Sequence, residues 1–170
     1  MMSRLAGLKY IGLTCCFLAL AACSKKDQPN LDAGLNNGAQ GVGAGQAVPG
    51  SKADFATNVG DRVFFLQDQS TLTPEASDIL GKQGNWLKQY GQVTVQVEGH
   101  ADERGTREYN IALSARRATA ARNFLIQQGV PATRISSIAY GKERPVALCD
   151  AEQCWSQNRR AVTVITGGAQ

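Results

Sequence analysis

The chain predicts a layered α/β domain of the order βαβαβ-β, a mixed sheet with helices packed on it. Val93, Val95 and Val97 alternate with Thr94, Gln96 and Glu98, the period of a strand with one buried face. A helical period begins a few residues later, and strand and helix signals alternate between residues 55 and 170, the pattern of helices layered on a sheet.

Arg62-Val63-Phe64-Phe65-Leu66 reads as the first strand. Thr73 before Pro74 marks a helix start, with an oxygen to cap free amides and proline at the first helical position. Ala76, Ile79, Leu80, Gln83, Leu87 and Tyr90 then recur at helical spacing, and Gly91 is expected to end that helix. Trp86 and Leu87 are candidate core residues. After the strand at residues 93–98, Gly99 and Gly105 bound a polar loop, and Thr106 can cap a second helix running to Gln128, stopped by Gly129 and Pro131. Arg134–Tyr140 and Ala161–Thr166 read as the last two strands.

The ends of the chain differ in character. Residues 1–22 place Arg4 and Lys9 ahead of an apolar run from Ile11 to Ala22, too short to span a bilayer comfortably, and read as a secretory signal. Leu20-Ala21-Ala22-Cys23 resembles the bacterial lipobox, so Cys23 is the candidate lipidation site, carrying N-acyl and S-diacylglycerol chains. Several acyl chains anchor stably where one alone binds marginally. Ser24 stands where an aspartate would favour retention in the inner membrane, which favours the outer membrane. Residues 23–54 then read as a lipidated N-terminus and Gly-rich tether, and 55–170 as the folded domain. As a coil the tether would average roughly 30 Å end to end and reach about 100 Å at full stretch. Loss of the signal removes two bases and no acid, so the formal charge of +4 overstates the mature chain. That balance is not a nucleic-acid protein's.

With Cys15 and Cys16 removed and Cys23 acylated, Cys149 and Cys154 remain as a disulfide candidate in a polar loop of an exported protein. Two free thiols are the alternative. No cofactor is expected beyond the lipid, and no metal site, because His100 is the one histidine and no further sulfur stands beside the pair. His100, Asp102 and Ser114 invite a hydrolase reading, but no nucleophile elbow or phosphate loop accompanies them. The expectation is a binding protein.

The binding chemistry concentrates in Gly99-His100-Ala101-Asp102 and the following helix. Asn110 and Arg117 are two turns apart on one helix face, with Ser114 between them and Leu113 flanking. Aspartate accepts from an ammonium, and the arginine fork suits a carboxylate. Such a pair fits a zwitterion, although Arg116 and Arg117 could equally be solvated helix charges and Asp102 a loop brace.

At these residues the sequence resembles the OmpA-like peptidoglycan-binding family. The run Gly99-His100-Ala101-Asp102, then Gly105, Tyr109-Asn110 and Leu113-Ser114 with Arg117-Ala118, matches its signature in order and spacing over about residues 55 to 170. The resemblance implies non-covalent binding of the meso-diaminopimelate of peptidoglycan stems, with Asp102 on the ammonium and Arg117, not Arg116, on the carboxylate. Asn110, Leu113, Phe65, Gly99 and His100 complete the implied site. Partners implied are peptidoglycan, the outer membrane, and TolB with other Tol proteins, in envelope integrity and constriction at division. The alternatives are service to a different envelope complex, or a structural lipoprotein of weak wall affinity. One departure stands out: Leu66 follows Phe65 where many members carry Asp or Asn, with Asp68, Ser70 and Thr71 the nearby polar candidates. Asn158-Arg159-Arg160 also matches the family and could brace the site or contact stem carboxylates, although solvent-facing arginines ahead of a strand are the more common case.

Overall fold

The computed structural model describes residues 47–170. The expected signal, Cys23 and most of the tether lie outside the described residues. Four strands, β1 (Arg62–Phe64), β2 (Thr94–Gly99), β3 (Ile135–Ala139) and β4 (Arg160–Gly167), form one sheet in the order β1-β4-β2-β3. β4 runs antiparallel to both neighbours, and β2 runs parallel to β3. The helices are α1 (Lys52–Asp54), continued by a π turn at Phe55–Val59, then α2 (Pro74–Gln89), α3 (Arg107–Gln127) and α4 (Glu152–Asn158). The mixed α/β layering is as the sequence predicts.

Parallel strands need a long crossover, and α3 supplies it between β2 and β3. The alternation in β2 buries Val95, Val97 and Gly99 on one face. With Val63, Ala161 and Ile165 of the neighbouring strands, and Leu80, Leu87, Ala118, Ala121 and Leu125 of α2 and α3, these make the core. Fully burying one such Val or Leu stabilises by about 1.5–3 kcal/mol. Trp86 and Leu87 belong to that core.

Both long helices start where their caps dictate. Thr73 Oγ1 accepts from Ala76 N and Thr106 Oγ1 from Tyr109 N. α2 ends differently from expectation: Tyr90, not a left-handed glycine, is its C-cap, with φ −104°. Arg134 takes over the glycine's task, donating to the carbonyls of Leu87, Tyr90 and Val93 at 2.8–2.9 Å.

The packed chain begins before Phe55. Ser51 Oγ caps α1 by accepting from Asp54 N, and the buried Asp54 carboxylate accepts from Gly50 N, Asn58 Nδ2 and Trp86 Nε1. Ser51-Lys52-Ala53-Asp54 is a capping-box spacing, a local signal that Gly-rich composition masked. α4 is likewise a helix where a polar loop was expected, and Cys154 lies within it, bonded to Cys149.

Candidate functional site

β2 ends at Gly99 against the second turn of α3. A Cβ at Gly99 would lie 1.9 Å from the Ser114 carbonyl oxygen, so only glycine lets strand and helix approach so closely. The loop that follows turns into α3 through Gly105, at φ +85°. It delivers Asp102 beside the helix face that carries Asn110, Ser114 and Arg117.

Asp102 is 8% exposed, and its oxygens are occupied by the chain's own donors. Arg104 reaches Oδ1 through its backbone N and Nε, both at 3.2 Å, and Oδ2 through Nη2 at 2.6 Å. Arg159 Nη1 donates to Oδ2 at 3.4 Å. Burial pushes the Asp102 carboxyl up, but the hydrogen bonds and charge of Arg104, with Arg159, hold it below the usual carboxylate range.

Arg117 is fully buried. Its Nε donates to Gln69 O at 2.8 Å, Nη1 to His100 O at 2.9 Å and Nη2 to Leu66 O at 3.1 Å. The guanidinium also lies 5.3 Å from the Phe65 ring centroid. Burial pushes Arg117 down to about 10, against the opposing field of Asp102, and it stays charged at neutral pH. A guanidinium has five N–H groups, so three are committed and one on each terminal nitrogen remains for a planar acceptor. Arg117 lies within the field of Asp102, opposite in sign, and these are the two candidates the sequence put together.

The other candidates support more than they present. Asn110 is buried and donates through Nδ2 to Arg104 O at 2.8 Å, bracing the loop. Leu113 is buried, and Ser114 Oγ donates to Ile111 O while accepting from Gly141 N. His100 is buried, stacked near Tyr140 at 5.6 Å between ring centroids, and burial together with Arg160 and Arg144 pushes it down to about 4. The Ser114 hydroxyl is committed to Ile111 O and Gly141 N, and neither His100 ring nitrogen has a hydrogen-bond partner, so the two do not form a nucleophile–base pair.

One expectation is corrected here, and one alternative is set aside. Arg159 and Arg160 are not solvent-facing: both are buried, and Arg159 Nε donates to Phe65 O while its Nη atoms meet Asp102 and Glu152. Arg117 is no exposed helix charge either. Leu66 leaves its side chain 55% exposed and contributes its carbonyl to Arg117, while Asp68 takes a left-handed φ of 54° and accepts from Tyr109 Oη at 3.3 Å. Asp68 raises the pKa of both Arg104 and Arg117, so a carboxylate two residues late faces the same charges.

Sequence reasoning missed the wall built by α4. Glu152 pairs with Arg159, Trp155 Nε1 donates to Glu103 Oε1 at 2.9 Å, and the Arg104 guanidinium lies 4.1 Å from the Trp155 ring centroid. A groove of about 620 Å³ opens beside Arg159, lined by Phe64, Phe65, Leu66, Thr73 and Glu152 among others. Helical spacing of the Glu-x-x-Trp pair was the available signal, but seven residues are too few for periodicity to speak.

Residues 64–159 match the OmpA family. The chain belongs to the OmpA family. As an OmpA-family chain it is 56% identical over 154 residues to the peptidoglycan-associated lipoprotein of Brucella melitensis, covering 90% of this chain and 89% of that one. It is 43% identical to the peptidoglycan-associated lipoprotein of Pseudomonas aeruginosa, covering 89% and 93%. The crystal structure of the peptidoglycan-associated lipoprotein from Burkholderia pseudomallei superposes with a TM-score of 0.64 at 34% identity, over 67% of this chain and 98% of that one. The C-terminal domain of Helicobacter pylori MotB, at 21% identity and a TM-score of 0.59, shares the fold. The family is one of non-catalytic domains, and this chain is not an enzyme.

Proposed function

We infer that this OmpA-family chain is an envelope lipoprotein that binds peptidoglycan non-covalently through the meso-diaminopimelate of its stems. The observation that carries this reading is the placement of a buried carboxylate, Asp102, in one site with a buried guanidinium, Arg117, that has one N–H on each terminal nitrogen unused by the chain's own acceptors. The ligand ammonium goes to Asp102 and its carboxylate to the Arg117 fork. The names of the relatives, peptidoglycan-associated lipoproteins, support the same ligand.

The lipid of Cys23 holds the chain in the outer membrane, the segment up to the packed domain spans the gap, and the domain grips the wall. In this reading TolB and other Tol proteins meet the same surface, and the tether serves envelope integrity and constriction at division. Among the described residues no helix is long and apolar enough to cross a membrane.

The test is co-sedimentation of the detergent-solubilised full chain with diaminopimelate-containing sacculi, beside Asp102→Asn with circular dichroism as folding control. The parent should pellet with the wall and leave it intact, and the folded variant should stay in solution. Equal pelleting of both would refute the site.

A further inference from the structure

An ammonium arriving at Asp102 finds no empty acceptor. A carboxylate offers about four lone-pair positions. Here Arg104 N and Nε take Oδ1, while Arg104 Nη2 and Arg159 Nη1 take Oδ2. The tightest of these contacts, 2.6 Å, comes from Arg104, whose side chain is 32% exposed and free to swing outward, whereas Arg159 is 6% exposed and pinned to Phe65 O. Arg104 therefore sits where a ligand cation must bind, and it can leave.

A second set of contacts holds it there. Trp155 presents its ring to the Arg104 guanidinium at 4.1 Å, and its indole N–H is fixed on Glu103. Lys142 Nζ donates to the carbonyls of Glu103 and Gly105, and Asn110 to that of Arg104, so the loop under the arginine is tied down on both sides. Trp155 itself rides on α4, stapled at its first turn by the Cys149–Cys154 bond and at its end by Asn158, whose amide bonds Val146 N, Ala147 N and Ala147 O.

We propose that Arg104 is an internal competitor for the Asp102 carboxylate, seated by Trp155, and that it sets the affinity a ligand must reach to occupy the site. This rests on the peptidoglycan reading above and deepens it. A ligand with an ammonium alone trades one cation for another at Asp102 and gains little. A ligand that also brings a carboxylate to the Arg117 fork gains a second contact that offsets the displacement, so the occupied ground state rejects simple amines while admitting the zwitterion. Trp155 is a positioning residue, acting through Arg104.

The experiment is isothermal calorimetry on the full chain in detergent with free meso-diaminopimelate and with cadaverine, which carries ammonium groups and no carboxylate. Arg104→Gln should bind meso-diaminopimelate about three- to tenfold tighter, the range of a partly screened ion pair, and should gain about the same factor toward cadaverine, because both ligands displace the same contact. Trp155→Ala should move both affinities in the same direction, and Trp155→Phe, which keeps a ring face, should restore the parent's affinities. Arg116→Gln, which removes the same charge from the exposed face of α3, controls for bulk electrostatics. Unchanged or weaker binding by Arg104→Gln overturns the proposal while leaving the peptidoglycan reading standing. A parent chain that binds neither probe, or an Asp102→Asn variant that binds as the parent does, overturns both.

Discussion

Trp86 Nε1 donates to Asp54 Oδ2 at 2.8 Å, joining residues 32 positions apart. That bond fastens the start of the domain to α2, and Phe55 follows it into the core against the same indole, ring centroids 4.9 Å apart. The Trp86 bond, then Asn58 and Gly50, hold the Asp54 carboxyl below the usual range.

Asp54→Ala should therefore destabilise by about 1–3 kcal/mol, because a buried indole N–H and a backbone amide lose their acceptor. Urea denaturation followed by Trp fluorescence measures it. The carboxylate's folded pKa lies below its unfolded value, so its contribution is present above about pH 4 and is lost as pH falls further. A variant as stable as the parent at neutral pH would mean that residues 50–54 are not fastened by this bond.

His100 governs a second, higher acid transition. Its folded pKa of about 4 lies below the unfolded 6.5, so the unfolded chain binds the extra proton between those values. Stability is complete above pH 6.5 and falls on acidification toward 4, by up to about 3 kcal/mol. Thermal melts at pH 7.5, 6, 5 and 4.5 should show a falling Tm in the parent and a flatter profile in His100→Gln over that window.

Arg117→Ala should cost about 2–5 kcal/mol of binding, and because the guanidinium is buried it should cost stability as well. Its removal strands the carbonyls of Leu66, Gln69 and His100 and leaves a void, so a stability loss of about 3 kcal/mol or more accompanies any loss of binding. Chemical denaturation of Arg117→Ala beside Asp102→Asn compares the two: Asp102→Asn weakens the contacts with Arg104 and Arg159 but opens no void, so it should lose stability, and less than Arg117→Ala does.

Gly99→Ala tests the approach of β2 to α3. A methyl group 1.9 Å from a backbone oxygen cannot be absorbed by a rotamer change, so strand and helix must separate. Overpacking of this kind costs about 1–3 kcal/mol and occasionally more. Displacing the strand end also displaces the Asp102 loop, so wall binding should drop by more than the unfolded fraction accounts for. Binding that tracks only the folded fraction in co-sedimentation would show that the loop tolerates the shift.

The sequence by itself determined what is local or periodic. The valine alternation of β2, the caps at Thr73 and Thr106 and the stop at Gly129 each act over a few residues, and each stands where expected. The spaced residues from Gly99 to Arg117 likewise put Asp102 and Arg117 forward as candidates for one site, because strand, loop and helix follow one another directly.

Only the tertiary structure decided which donors meet which acceptors across long separations. Arg134 ending α2 from over forty positions away, Arg159 turning inward to Asp102, and α4 setting Trp155 on Arg104 depend on the packing of distant elements. An arginine reads as a solvated surface charge until the fold buries it against carbonyls and carboxylates. The physical reason is that a charge's role is set by what surrounds it after burial, and sequence periodicity reports which face is buried, not which partners wait there.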